Sequence, residues 1–368
     1  MIHTLKKADR LLLACVVLLA VIGLMTLFAA VHSGELTVWY KQLVYWAVGM
    51  LAMVLVCFVP LRFVGLLAWP IYMLALLALV LTPLLGDVHM GARRWLDLGI
   101  VNLQSSELMK WALLLLLAYW FATREASSVK DLSVALVCTI VPAALIVIQP
   151  DLGTTLVLLT AAMVVILVAG FPWKWFMGLL VLSPFAGYVL WHNMHDYQKG
   201  RVLSFLSPES DPLGKGYHVI QSTIAIGSGG LFGKGFLEGS QSRLHFLPEQ
   251  HTDFIFAVLA EEGGLLAATV LFILYAVLIS RILAIALRAH TRFGGLLCVG
   301  IATIFFLYVF VNIGMVSGML PVVGVPLPFI SYGGSALLSM LLAMGLVLRV
   351  SIESADKVGW QRPGSPLL

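Results

Sequence analysis

LLLACVVLLAVIGLMTLFAAV, residues 11–31, contains no Asp, Glu, Lys or Arg. A hydrocarbon core about 30 Å thick takes roughly 20 mostly apolar residues to cross as a helix. Lipid offers backbone N–H and C=O groups no partner, so a run of this kind has to satisfy its own hydrogen bonds by coiling. The run is one of ten. Spans are expected at about 10–31, 39–60, 62–83, 105–122, 133–149, 152–170, 173–191, 255–280, 296–317 and 334–350. The pattern predicts an all-α polytopic membrane protein of ten transmembrane helices, with residues 1–368 forming a single integral membrane domain. Composition agrees: 61% of residues are hydrophobic and 11% charged, where soluble domains are about a quarter charged. Lys6, Lys7 and Arg10 resemble the charged start of a signal peptide, but the apolar run behind them is too long for one and reads as a retained first helix.

Lys and Arg favour the cytoplasmic side of a membrane. With ten spans and both termini inside, the cytoplasmic segments hold Lys6, Lys7, Arg10, Arg62, Arg124, Lys130, Lys174, Arg281, Arg288, Arg292, Arg349, Lys357 and Arg362, against Asp9, Glu125, Asp131, Glu353 and Asp356. The formal net charge of +4 is therefore a topology signal, and it offers no patch for nucleic acid. Residues 353–368 form a polar cytoplasmic tail. Cys15, Cys57, Cys138 and Cys298 all fall inside spans, which excludes a disulfide framework and leaves them as small packing residues.

Three outer stretches interrupt the apolar pattern: GDVHMGARRWLDLGIVNLQSSELMK at 86–110, QPDLGT at 149–154, and an extracytoplasmic loop at 192–252 that is answered later by SGMLPVVGVPLPFISYGGS at 317–335. A loop of that length is expected to have structure of its own; HVIQSTIAI, 218–226, reads as a short helix or strand. AIGSGGLFGKGF, 225–236, invites a phosphate-loop reading and fails it, because Ser228 and Gly235 stand where that motif needs Gly and Ser or Thr. Its glycines read as turn formers, or as places where backbone amides approach a ligand.

Ionisable groups near a span are costly, so they tend to face protein or a wet cavity. Glu107 and Lys110 share a face at i, i+3, either as an ion pair or with Lys110 holding an anion. Arg93, Arg94, Trp95 and Asp97 lie just before them. Asp151 is placed to cap a helix or to face the same cavity. Arg201 suits phosphate through its planar guanidinium. In FLPEQHTDFIFAVLAEEGG, 246–264, Asp253 is followed by Glu261 and Glu262. Asp253 reads as a helix cap or as a functional acid, and the two glutamates read as structural supports. His251 is placed to orient Asp253.

GARRWLDLG, QPDLGT, SPESDPLGKGYHVIQSTIAIGSGGLFGKG, LPEQHTDFIFAVLAEE and NIGMVSGMLPVVGVPLPFISYGGS resemble, in order and along the whole chain, the SEDS family (shape, elongation, division and sporulation) of peptidoglycan glycosyltransferases. PVVGVPLP and VNIGMVSG are similar to the family's rod-shape branch. Ser105 departs from the proline common before the SE pair, and Gly263 from a bulkier residue after the double Glu. The resemblance implies ten membrane helices and polymerisation of lipid II into glycan strands at the outer face of the bacterial cytoplasmic membrane, during cell elongation. It implies a class B penicillin-binding protein as transpeptidase partner, among other membrane proteins of the elongation machinery. By motif, Asp253 is the essential acid, and Glu107, Lys110 and Asp151 are site residues.

Chemistry points to the same place. Outside the cell there is no nucleotide sugar, so the donor has to arrive activated, as a lipid pyrophosphate. An inverting transfer then needs a base, assigned to Asp253, and cations for the leaving pyrophosphate, drawn from Arg201, Lys110, Arg93 and Arg94. A divalent cation such as Mg or Mn suits Asp and Glu oxygens, although no ligand spacing in the sequence compels one. Two other readings are a lipid II flippase and a non-catalytic scaffold for the penicillin-binding protein.

Overall fold

The computed structural model describes residues 9–32, 34, 36–89, 92–97, 102–193, 215–240 and 249–355. Helices dominate. The first is α1 (Arg10–Val31), followed by α2 (Leu36–Cys57), α3 (Leu61–Leu66) and α4 (Ala68–Leu85). After a short sheet come α5 (Ser105–Ala122), α6 (Val129–Ile148), α7 (Leu152–Val168) and α8 (Trp173–Asn193). α9 (Lys215–Ser228), α10 (Ile255–Arg288), α11 (Arg292–Val316) and α12 (Gly334–Ser354) complete the order. Helix starts follow local chemistry: Asp9 accepts from Leu12 N, Ser128 from Asp131 N, Asp151 from Thr154 N and Thr291 from Gly294 N. That is why α6 begins at Val129, ahead of the expected 133. The expected third span divides at Leu67 into α3 and α4.

Among the described residues, seven helices are long and apolar enough to cross a membrane, namely α1, α2, α4, α6, α10, α11 and α12. α7 has the same character in 17 residues. The chain is a mostly helical, polytopic integral membrane protein. Large apolar side chains such as Leu74, Val181 and Leu287 point outward, as a lipid face requires, while α5, α7 and α11 pack at the centre.

The all-α expectation needs one correction. Three short strands, β1 (Asp87–His89), β2 (Ala92–Asp97) and β3 (Asn102–Gln104), form an antiparallel sheet in that order. Trp95 pairs with Gln104 and Asp97 with Asn102. Gly86 ends α4 with extended backbone, and past the helix end the strands satisfy each other's N–H and C=O groups. This is the same end of the bundle that carries α9 and residues 317–333. At the opposite end Arg281 pairs with Asp9, and Arg349 pairs with Glu353 at 2.6 Å.

α10 is the element that positions the site. At 1.5 Å per residue its 34 residues would run about 50 Å if straight, well beyond a bilayer core. It kinks at Gly264, where φ is 65° and ψ is −163°. Residues 255–262 are buried in protein, whereas Leu265 and Leu266 are each 56% exposed. The kink is filled by the loop after α9. Lys234 N and Gly235 N donate to the carbonyls of Glu261 and Glu262, and Leu265 N and Leu266 N donate back to Gly230 and Leu231. A Cβ on Gly233 would lie 2.0 Å from Glu262 O, so the glycines of this loop serve close backbone approach. α9 takes the helical option for 218–226, with Val219, Ser222 and Ala225 as its buried face. Gly264→Ala would place a side chain in a backbone region open essentially to glycine and 2.3 Å from Gly233 N. We expect it to lower stability by at least about 1–3 kcal/mol in thermal unfolding of the detergent-solubilised protein. Gly227→Ala, with open space at its Cβ, should leave the transition in place.

Candidate active site

Asp253 lies in the turn that leads into α10. The N-cap position belongs to Phe254, which makes no side-chain cap bond. The backbone around the acid is fixed from three sides. Asn312 Nδ2 donates to Asp253 O at 3.0 Å and to Val325 O at 2.8 Å. Ser331 Oγ donates to Thr252 O at 2.6 Å, and Tyr332 N donates to His251 O at 2.9 Å. The irregular chain 321–327 runs alongside. A Cβ at Gly324, where φ is +75°, would stand 3.3 Å from Asp253 Oδ2. Any other residue there would be strained and would crowd the carboxylate. Asp253 itself is half-buried.

The same irregular chain reaches the second acid. A Cβ on Gly153 would lie 2.9 Å from Val323 O, so the start of α7 packs directly on residue 323. Asp151 caps α7 through Oδ1 to Thr154 N at 3.1 Å and is 6% exposed. Arg94 donates through Nε to Gln149 O at 3.0 Å and through its terminal nitrogen to Pro150 O at 2.5 Å. It thereby clamps β2 to the α6–α7 corner. Trp95 sits in β2 between Asp87 and Gln104.

Beneath Asp253 is a buried ionic cluster. Lys110 Nζ donates to Glu107 Oε1 at 2.6 Å, and Tyr308 OH donates to the same oxygen at 2.9 Å. The ammonium lies 4.3 Å from the centre of the Tyr308 ring. Glu107 and Lys110 are 2% and 1% exposed. Tyr308 and Asn312 are one turn apart on α11 and share a face, so this helix stacks the ionic cluster under the acid's backbone. Removing one member of a buried pair leaves the other charge uncompensated.

On the flank, Lys234 Nζ meets Glu261 Oε1 at 2.7 Å, joined by Ser240 Oγ at 3.1 Å. Glu262 accepts backbone hydrogen bonds from Leu237 and Gly239. His251 packs its ring on Tyr332 with centroids 5.8 Å apart. Arg201 and the side chain of Arg93 lie outside the described residues. Among the described residues no three His, Cys, Asp or Glu side chains gather in a metal-binding cluster. Asn312, Tyr308, Gln42 and Ser331 carry the site's framework without having been singled out as site residues. The available signal was a lone amide, Asn312, inside an apolar run, since such a group must find an internal partner.

The cell cycle protein family of FtsW, RodA and SpoVE matches residues 9–356, and the chain belongs to it. The peptidoglycan glycosyltransferase MrdB of Escherichia coli K12 is 48% identical over 307 residues, 83% of each protein. A chain from a study of how a peptidoglycan synthase complex coordinates polymerization and crosslinking superposes with a TM-score of 0.83. It is 37% identical and covers 94% of this chain and 98% of that one. The crystal structure of the rod shape determining protein RodA of Thermus thermophilus gives a TM-score of 0.72 at 33% identity, covering 94% and 96%.

Two measurements check this geometry. Lys110→Met alone should destabilise the protein by about 3–5 kcal/mol, and Glu107→Leu added to it should recover most of the loss, as read from thermal unfolding. The second concerns His218 in α9, whose ring stacks on Phe254 at 6.0 Å. Burial pushes its imidazole below the usual value of 6.5, against a smaller upward pull from Glu249. The unfolded chain therefore binds a proton that the folded one resists. This contribution is full above 6.5 and is lost as the pH falls below it. His218→Phe should flatten that loss in thermal midpoints taken between about pH 8 and about pH 5.

Proposed function

We propose that this chain, like the relatives it matches, is a peptidoglycan glycosyltransferase that polymerises lipid II into glycan strands during cell elongation. In this reading the ten long helical segments cross the cytoplasmic membrane with both termini inside. The end that carries Asp253 then faces outward, with residues 192–252 as an extracytoplasmic loop. The observation that carries the proposal is the half-buried Asp253 carboxylate set against Gly324 on a backbone that Asn312 and Ser331 hold fixed. A fixed acid at the mouth of a lipid-embedded bundle suits a reaction whose substrate is sugar at one end and hydrocarbon at the other.

Asp253 acts as the base. It takes the proton from the acceptor sugar's 4-hydroxyl as that oxygen attacks the anomeric carbon of the lipid-linked donor, and the C–O bond to pyrophosphate breaks with inversion. A base held within reach of that proton contributes about 10²–10⁴-fold. The leaving pyrophosphate carries its own charge and needs positive partners in place of a proton. Arg94 and Lys110 already hold carbonyls and Glu107, which leaves Arg93 and Arg201 for that task. Asp151 and Trp95 shape the neighbouring wall, and Glu261 and Glu262 hold the kinked helix. Mg or Mn, if used, would rest on Asp253 and on substrate phosphates, as such ions commonly do, and would neutralise the pyrophosphate. A class B penicillin-binding protein crosslinks the strands as partner.

The test is polymerisation of purified lipid II by the reconstituted protein with that partner, its transpeptidase blocked. Asp253→Asn and Asp253→Ala should fold, bind the partner and lose at least about a hundredfold in strand formation. An Asp253→Asn enzyme running near the wild-type rate would remove the base assignment.

A further inference from the structure

We infer that the N-terminus of α12 is a binding site for a phosphate group carried on a membrane lipid, specifically the diphosphate of a polyprenyl-linked sugar. The inference rests on the polymerase reading above and deepens it by naming where one lipid headgroup is held.

The first observation is the state of the helix end. Gly333 occupies the N-cap position and offers no side chain to the helix. The first intrahelical bond is Leu337 N to Gly333 O at 3.0 Å, so the N–H groups of Gly334, Ser335 and Ala336 have no intrahelical acceptor and meet no other among the described residues. Together with the helix dipole they form a positive end that favours an anion. Positive helix ends are common, and this alone would mean little.

The second observation is Ser335. It is 5% exposed, and its hydroxyl has no hydrogen-bond partner among the described residues. Helical side chains tilt toward the N-terminus, so this orphaned hydroxyl is aimed at the same point as the three free amides. A buried hydroxyl without a partner is destabilising, and a bound acceptor would remove that cost.

The surroundings fix the class of ligand. Gln42 of α2 donates to Ser331 O at 3.2 Å and accepts from Gly333 N at 3.4 Å. Tyr45 lies against Gly334, where a Cβ would meet its ring at 2.7 Å, and its hydroxyl shares a hydrogen bond with that of Tyr332. Tyr45 is nine residues into α2, which puts the end of α12 about 13 Å below the start of that helix. Free phosphate has no reason to travel to that depth. Lys41 is exposed and stands one turn above Tyr45 on the same face. Val44 and Val48 beside it are 59% and 51% exposed, the side that lipid covers. A cation, free amides and an orphaned hydroxyl at an apolar flank suit a phosphate whose other end is hydrocarbon.

The subsite is joined to the reaction centre. Ser331 and Tyr332, immediately before Gly333, bond the carbonyls of Thr252 and His251. His251 is two residues from Asp253, at most about 7 Å of chain. A headgroup held here places its sugar beside the acid.

The experiment measures equilibrium binding of radiolabelled farnesyl diphosphate to the full-length protein in phosphatidylcholine nanodiscs, with no acceptor and no turnover. A failure of the polymerase reading therefore leaves this result readable. Ser335→Asp sets a carboxylate where the helix end tolerates it and an anion does not. Lys41→Glu changes an exposed side chain and keeps the assay independent of any folding defect at Ser335. Each should weaken binding at least tenfold. Wild-type affinity in both variants overturns the site. Inorganic pyrophosphate binding as tightly as farnesyl diphosphate would overturn the lipid source, and displacement by phosphatidylglycerol in the nanodisc would overturn the polyprenyl assignment.

Discussion

Asn312 Nδ2 donates to the carbonyl oxygens of Asp253 and Val325, and that shared donor ties two irregular chains together inside an apolar bundle. An unpaired backbone group away from water costs several kcal/mol, so irregular backbone at membrane depth survives only where protein supplies its partners. Residues 317–333 are such a chain. Asn312 of α11 serves Val325, Tyr275 of α10 donates to Pro328 O at 2.5 Å, and Gln42 of α2 donates to Ser331 O. Ser331 passes the support on, accepting from Leu327 N and donating to Thr252 O. Three helices thus act as the missing ladder for one irregular segment, and Asp253 inherits its position from that segment.

Rigidity at the acid is matched by a second anchor on its own helix. A helix of 34 residues that began at Ile255 and ran straight would overshoot the bilayer, so the bend at Gly264 is what lets the first turns stay inside the protein. The bend exposes carbonyls and amides that a continuous helix would have paired, and the loop 229–235 supplies their partners one for one. Lys234 adds its charge to Glu261 at the same place. The glycine-rich loop and the double glutamate, far apart in sequence, belong to one joint.

The legible part of this molecule was the part governed by local chemistry. Apolar runs gave helices at nearly their expected bounds because a lipid-facing helix has few alternatives, and Asp151 was legible as a cap, whereas Ser128, which starts α6 four residues early, was not. The sheet of β1, β2 and β3 went unread: its strands are three to six residues long, too short for alternation to stand out beside a doublet of arginines. Glu107 and Lys110 were legible as a pair from spacing. Their third member, Tyr308, was not, because it comes from a helix two hundred residues away and a tyrosine in an apolar run looks like packing. Arg94 read as a cation for the leaving group; its guanidinium instead holds two carbonyls at the end of α6, a contact that depends on the sheet. Asn312 was the omission with the largest consequence, and the rule that exposes it is general: an amide in a membrane helix marks a chain that needs holding.

The same packing separates a polymerase from a flippase. A headgroup crossing the membrane needs a polar path through the bundle. Below Lys110 the inner face of α5 continues as Leu113, Leu114, Leu116, Leu117 and Phe121, each no more than 2% exposed. Leu114 and Val165 close on α11 so tightly that a Cβ at Gly300 would lie 2.9 Å and 3.0 Å from them, and Leu297, Ile301 and Phe305 complete a dry layer. Cores of this density open only by separating whole helices. Among the described residues of α5, α7 and α11 the ionic cluster of Glu107, Lys110 and Tyr308 is therefore a floor, with apolar side chains packed beneath it. A site with a floor retains a headgroup at one face, which suits a reaction that both begins and ends there.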